Sequence, residues 1–171
     1  MRFADDNAAR GGFTLVEILI TIAILGILVV LAVGNFGGMN EKYKVEAETK
    51  QLYADLMDAR GRAMQRNRMF FVQINGNDYQ TYEDTFPVPD GDRALQNTDT
   101  LAVNTRVSHV IATGDIVVPL SFNFNRNGIA SVSGFIRLSS TARPDYDCIT
   151  ITATRIKMGQ YNATGNTCAE R

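Results

Sequence analysis

The sequence has few of the residues that catalytic and metal sites need. It contains one histidine, His109, which lies inside a strand-like run. It shows no glycine-rich phosphate loop, no cysteine/histidine spacing typical of zinc ligands and no nucleophile elbow. A lone histidine is more often structural than catalytic. The sequence therefore predicts no enzyme activity, no metal site and no cofactor.

An excess of charge of one sign is also missing. The chain of 171 residues has 17 Lys and Arg against 18 Asp and Glu, for a net charge of −1. Nothing in this balance favours nucleic acid or an acidic substrate as a partner. An acidic group at residues 83–84 and 90–92 carries oxygen atoms that suit Ca²⁺, but it lacks the spacing of a twelve-residue calcium loop, so we expect a solvated loop.

Charge is absent altogether from residues 18–40, and residues 18–34 are mostly branched and apolar. A helix over residues 13–36 would be about 35 Å long, which is enough to cross the hydrocarbon core of a bilayer. Its apolar side chains lie on every face, so it should be embedded in lipid or buried among other helices.

An ordinary secretory signal peptide is the alternative for this segment, with a small-x-small cleavage site at residues 32–34. Two features argue against it. The two arginines of residues 1–12 are balanced by two aspartates, and Glu17 would be misplaced in the apolar region of a signal peptide.

The residues from Gly12 to Glu17 read GFTLVE and precede the apolar run. This pattern resembles the class III signal of type IV pilins and type II secretion pseudopilins. The resemblance implies that a prepilin peptidase removes residues 1–12 by cleavage after Gly12 and methylates the new N-terminus, Phe13. It also implies that residues 13–38 form a transmembrane and assembly helix and that Glu17 is the acid used in assembly.

A bare carboxylate in hydrocarbon costs several kcal/mol unless it is paired. After cleavage Phe13 has a cationic amine one helical turn from Glu17, so the two groups can neutralise each other within one chain or between staggered neighbours. Pairing between neighbours would set the axial register of subunits. The alternative is that Glu17 reaches the lipid headgroups from the helix end.

The remaining residues, 39–171, are predicted to form a periplasmic or extracellular head. Apolar residues recur at helical spacing over residues 41–67, which predicts an amphipathic helix packed on a sheet. The glycines of residues 34–38 make a weak point between the two helical halves. Because no proline precedes Pro87, any flexibility there would have to come from these glycines.

The residue pattern after residue 67 predicts strands, so residues 68–171 should form a β-domain. The strand candidates are residues 69–74, 79–83, 101–111, 116–125, 129–138 and 148–156. The first two are joined by Asn75-Gly76-Asn77-Asp78 as a β-hairpin, and residues 84–100 are a polar loop. The expected fold class is α+β, with the long N-terminal helix packed on an antiparallel sheet.

The C-terminal stretches FNFNRNGIASVSGFIRLSS and CITITATRIKMGQ are similar to the corresponding part of GspH/FimT-type minor pilins. That similarity implies a minor pilin, present in few copies near a filament tip, where it helps to start assembly. The implied partners are other pilin subunits, the prepilin peptidase, the inner-membrane assembly platform and, before assembly, inner-membrane lipid. The alternative within the same machinery is a minor pseudopilin of a type II secretion system.

The two cysteines, Cys148 and Cys168, would most simply form one disulfide in a compartment outside the cytosol. Two free buried thiols are the alternative. Arg155 and Lys157 raise a different possibility, because some minor pilins of this type bind DNA through a Gly-Arg-x-Arg turn. Here threonine replaces the glycine and lysine the second arginine, which removes backbone freedom and one bidentate phosphate contact, so a solvated strand end is favoured.

Overall fold

The structure is a computed structural model that describes residues 12–89, 91–113 and 120–171, without the side chains of residues 32–37 and 113. Predictions for residues 1–11, Asp90 and residues 116–119 lie outside the described residues. The chain divides into two compact units, Met1–Met39 and Asn40–Arg171, which we call the N-terminal unit and the head unit.

The predicted α+β fold class is confirmed. Helix α1 spans Leu15–Arg66 and continues without a break through residues 34–38. It ends because Asn67 adopts a left-handed conformation with φ of 54° and the Arg68 N–H donates to the carbonyl of Ala63 at 3.2 Å. This is the Schellman arrangement, in which an asparagine can take the place of the usual glycine.

The part of α1 in the head unit carries the predicted apolar stripe. Its members are at most 1% exposed: Val45, Leu52, Leu56, Ala59 and Ala63. They join one hydrophobic core with inward-facing residues of both sheets described below. Burial of this stripe, rather than intrinsic helix propensity, is what stabilises the helix against water here.

In the described residues the helix is followed by nine strands: β1 Phe70–Asn75, β2 Asp78–Glu83, β3 Thr100–Arg106, β4 Ile111–Thr113, β5 Leu120–Phe124, β6 Gly134–Leu138, β7 Cys148–Ile151, β8 Ile156–Asn162 and β9 Thr167–Glu170. They form two antiparallel sheets, of order β3-β2-β1-β5 and β4-β6-β7-β8-β9. The predicted hairpin is confirmed, with Asn75 opposite Asp78 and Gly76 at a φ of 62°.

The single strand predicted for residues 101–111 is wrong. The chain forms β3 and β4 there, and the two strands belong to different sheets. They separate at residues 107–110 because the backbone N–H groups of Ser108 and His109 donate to the carboxylate of Glu48, at 2.9 and 3.3 Å, instead of to a neighbouring strand.

Two further strand predictions differ from the structure. The strand predicted for residues 129–138 begins only at Gly134, and the one predicted for residues 148–156 ends at Ile151. The second strand ends because the Thr152 hydroxyl accepts the Arg155 N–H at 3.1 Å and donates to the Arg155 carbonyl at 3.0 Å, which closes a turn before β8. Strands β8 and β9 were not predicted, because the last predicted strand ended at residue 156.

Candidate functional site

The start of α1 is fixed by Thr14. Its hydroxyl oxygen accepts the backbone N–H of Glu17 at 3.2 Å, which makes Thr14 the N-cap and places Glu17 three residues after it. Thr-x-x-Glu is the sequence signature of a capping box, a signal that the sequence analysis did not use. The helix therefore begins at Leu15, two residues later than predicted, and Phe13 precedes it. Glu17 is the acidic residue of the first helical turn, where the helix dipole favours negative charge.

The described apolar side chains of the N-terminal unit face outward. The large ones between Leu15 and Leu31 are 50–74% exposed, and Phe13 is 78% exposed. No helix within the described ranges combines the length and the apolarity that a bilayer-crossing segment requires. A contiguous exposed apolar surface of this kind is typical of sites that contact another protein or a membrane.

Cys148 and Cys168 form a disulfide, with their Cα atoms 6.0 Å apart. It joins β7 to β9, and β8 lies between these two strands in the sheet. Gly159 of β8 leaves room for this closure: a Cβ atom there would lie 2.3 Å from the Ala169 carbonyl oxygen and 2.9 Å from the sulfur of Cys168. Because the first of these neighbours is backbone, only glycine fits at this position without a shift of β9.

The two candidate DNA-binding residues occupy different settings. Arg155 lies in the turn between β7 and β8 and is exposed. Lys157 lies on β8, and its ammonium group pairs with the carboxylate of Glu170 on β9. Ile156 between them is buried. Of the two cations, Lys157 is thus already partly neutralised within the chain.

His109, predicted to be structural, lies between two carboxylates of α1. Its Nδ1 is 2.6 Å from Glu48 and its Nε2 is 2.7 Å from Glu41, while the imidazole is only 9% exposed. Burial acts to lower the pKa of His109, but the hydrogen bonds to Glu41 and Glu48 outweigh it and raise the pKa above its ordinary value. The reciprocal contacts lower the pKa of Glu41, and also that of Glu48 although burial opposes the change.

Residues 83–84 were expected to lie in a solvated loop, and this expectation is wrong: Glu83 is 4% exposed and Asp84 is 1% exposed. The buried carboxylate of Asp84 accepts the backbone N–H groups of Asp92 and Arg93 at 3.2 and 2.9 Å, and burial raises its pKa. Glu83 pairs with Arg66 and Arg68. Among the described residues, no three histidine, cysteine or acidic side chains converge as a metal site. Asp84 thus holds the loop between β2 and β3 in shape, whereas Glu83 joins the end of β2 to the end of α1.

Known proteins resemble this chain in a short N-terminal motif and in fold. Residues 7–33 match the family described as the prokaryotic N-terminal methylation motif. The crystal structure of the type IV minor pilin FimU from Pseudomonas aeruginosa has the same fold, with 16% sequence identity, a TM-score of 0.53, and coverage of 70% of this chain and 91% of that chain. The chain thus combines an N-terminal methylation motif with the fold of a type IV minor pilin.

A second solved structure extends the comparison to secretion systems. The minor pseudopilin EpsH from the Type 2 Secretion System of Vibrio cholerae is 11% identical, with a TM-score of 0.51, and the alignment covers 68% of this chain and 97% of that chain. No curated protein sequence matches this chain. At these identities the structural matches establish the fold, which minor pilins and minor pseudopilins share.

Proposed function

We propose that this pilin-like protein is a minor pilin of a type IV pilus, which helps to initiate or cap filament assembly near the tip. The observation that supports the proposal best is the order of its parts. The methylation motif at residues 7–33 includes the Thr14 cap and the start of α1, and a head unit of pilin fold follows. The protein carries out no catalytic step of its own. It is a substrate of the prepilin peptidase and a structural component.

In this proposal the apolar part of α1 changes its surroundings once. Before assembly it lies in the inner membrane, with the head unit in the periplasm, and the assembly platform then transfers it into the filament, where it packs against the helices of other subunits. The exposure of its large apolar side chains in the isolated chain supports this, because such a surface is stable only when lipid or another apolar surface covers it.

The first prediction concerns the mature N-terminus. Co-expression with a prepilin peptidase should yield a protein that starts at Phe13 and carries one added methyl group on its amine, whereas expression without the peptidase should leave the leader attached. Intact-protein and N-terminal peptide mass spectrometry measure both forms. A mature chain that starts after Gly34 would instead indicate an ordinary signal peptide, and the pilin proposal would have to be abandoned.

A minor pseudopilin of a type II secretion system is the second candidate, supported by the alignment that covers 97% of the EpsH chain. The two candidates differ in their partners. A pilus subunit should be recovered with sheared extracellular filaments, and its deletion should reduce piliation. A pseudopilin should be absent from that fraction, and its deletion should block export of secreted enzymes. The genes adjacent to this one provide an independent indication of which machine is present.

DNA uptake is the candidate function of another class, and the second prediction tests it. Since Lys157 pairs with Glu170, the Arg155→Ala/Lys157→Ala variant should bind DNA within about threefold of the parent protein at roughly 150 mM salt. Fluorescence anisotropy with labelled duplex DNA measures the affinities, and Arg143→Ala is a matched control on another exposed arginine. A salt-dependent affinity that only the double variant loses would support a DNA receptor.

A further inference from the structure

The turn at residues 107–110 is held to α1 by a charged contact. Glu41 and Glu48 lie seven residues apart, so they project from the same face of the helix two turns apart. His109 fits between them, with one ring nitrogen at hydrogen-bonding distance from each carboxylate. Both carboxylates accept, so each ring nitrogen has to donate, and only the protonated imidazolium has two N–H groups.

We propose that His109, Glu41 and Glu48 form a proton-controlled latch that holds residues 41–48 of α1 against the turn at residues 107–110. The latch is closed while His109 is protonated and opens at its Glu41 side when the proton leaves. It goes beyond the structural role proposed above, because it makes the stability of this stretch of α1 depend on pH.

Deprotonation of His109 affects its hydrogen bonds to Glu48 and to Glu41 differently. Neutral histidine keeps one N–H group, and we expect it to keep its hydrogen bond to Glu48. The backbone N–H groups of Ser108 and His109 already hold the Glu48 carboxylate in position beside the ring. With the proton on Nδ1, the lone pair of Nε2 faces the carboxylate of Glu41. That pair of acceptors repels, and the side chain of Glu41, which is 42% exposed, moves into water.

The other groups near the latch do not reverse the direction of its pH dependence. Lys44 is the nearby cation on α1, and the hydroxyl groups of Ser108, after β3, and Ser140, after β6, face the carboxylates. The pKa of His109 is raised, so its contribution to stability is fully present below the unfolded-state pKa and is lost as the pH rises through the folded-state pKa. The pKa values of both carboxylates are lowered, so their contribution is lost only in acid, as the pH falls through those values.

The third prediction is a tautomer change at a single site. Because the chain has one histidine, ¹⁵N-histidine labelling of the full chain in detergent micelles reports on His109 alone. We expect a titration midpoint above the ordinary value of 6.5 and, above that midpoint, the Nδ1–H tautomer. Hydrogen exchange of residues 41–48, corrected for intrinsic rates, should lose tenfold in protection for each unit by which the latch raises the pKa.

Substitution of Glu41 distinguishes the proposed latch from a histidine that is only buried. Glu41→Gln should shift the midpoint of His109 to lower pH and remove most of the pH dependence of exchange. Glu46→Gln is the matched control, because Glu46 lies on the same helix but pairs with Lys50. An unchanged midpoint in Glu41→Gln, an Nε2–H tautomer, or equal protection of residues 41–48 at about pH 6 and about pH 9 would each overturn the proposal.

Discussion

Replacing Glu17 with alanine should leave the protein in the membrane fraction and reduce its incorporation into filaments by on the order of 100- to 1,000-fold. The apolar run that follows Glu17 is unchanged by the substitution, so membrane insertion needs no contribution from the carboxylate. Assembly differs, because a cationic Phe13 amine buried in a bundle of helices would lose its partner. Removing one member of a buried ion pair typically costs about 3–5 kcal/mol. Immunoblots of membrane and sheared-filament fractions measure the effect.

The helix cap supplies a rival explanation, which Glu17→Gln tests. Glu17 lies at the third helical position after the cap of Thr14, where glutamate and glutamine both support a capping box. If Glu17 acts mainly through the cap, glutamine should restore incorporation. If it acts as the charged partner of the Phe13 amine, Glu17→Gln should fail as Glu17→Ala does. We expect failure.

Thr14→Ala is the matched control for the cap itself. It removes the hydroxyl oxygen that accepts the Glu17 N–H and leaves every charge in place. Loss of an N-cap costs about 1 kcal/mol, so we expect a modest decrease in incorporation. A Thr14→Ala defect as large as that of Glu17→Ala would mean that helix initiation, rather than charge pairing, limits assembly.

The sequence predicted those features that depend on neighbouring residues. Helical spacing was sufficient to identify Val45, Leu52 and Leu56 as core residues, because a helix that packs on a sheet buries one stripe. The turn chemistry of residues 75–78 predicted the first hairpin correctly. The α+β class followed from the order of these elements.

The failures occurred where a distant side chain determines the backbone path. Residues 101–111 have the composition of one strand, but Glu48, about sixty residues earlier, accepts two backbone N–H groups at residues 108 and 109 and ends the pairing. A carboxylate on a helix gives no local sign of such a partner. For the same reason the lone His109 was expected to be structural, and its contact with two carboxylates was not predicted.

The unpredicted strand β9 is tied to the second sheet by a disulfide between two residues that are far apart in sequence. Cys168 contributes to it through Cys148, and Gly159 between them has the space that the closure needs. The sequence predicted the disulfide, but the local pattern around these residues does not indicate a strand at residues 167–170. Their combination explains why the C-terminal residues continue the second sheet instead of forming a loose tail.

Breaking the disulfide should have the largest effect on the stability of the head unit. The bond closes a loop with a sequence separation of 20, which corresponds to about 3 kcal/mol of loop entropy in the unfolded chain. For a unit of this size the melting temperature should fall by roughly 10 °C in Cys148→Ala/Cys168→Ala. Circular dichroism of the full chain in detergent, followed on the β-sheet signal, measures the change.

Reduction distinguishes the contribution of the disulfide bond to stability from that of the packed cysteine side chains. Dithiothreitol should lower the melting temperature of the parent protein by nearly as much as the double substitution does, and it should have no effect on the double variant. Cys148 is fully buried, so part of the loss in Cys148→Ala/Cys168→Ala comes from lost packing, which reduction leaves intact. If reduction leaves the melting temperature of the parent unchanged, the β7–β9 bond does not stabilise the fold, and the packing around Gly159 alone keeps β9 in the sheet.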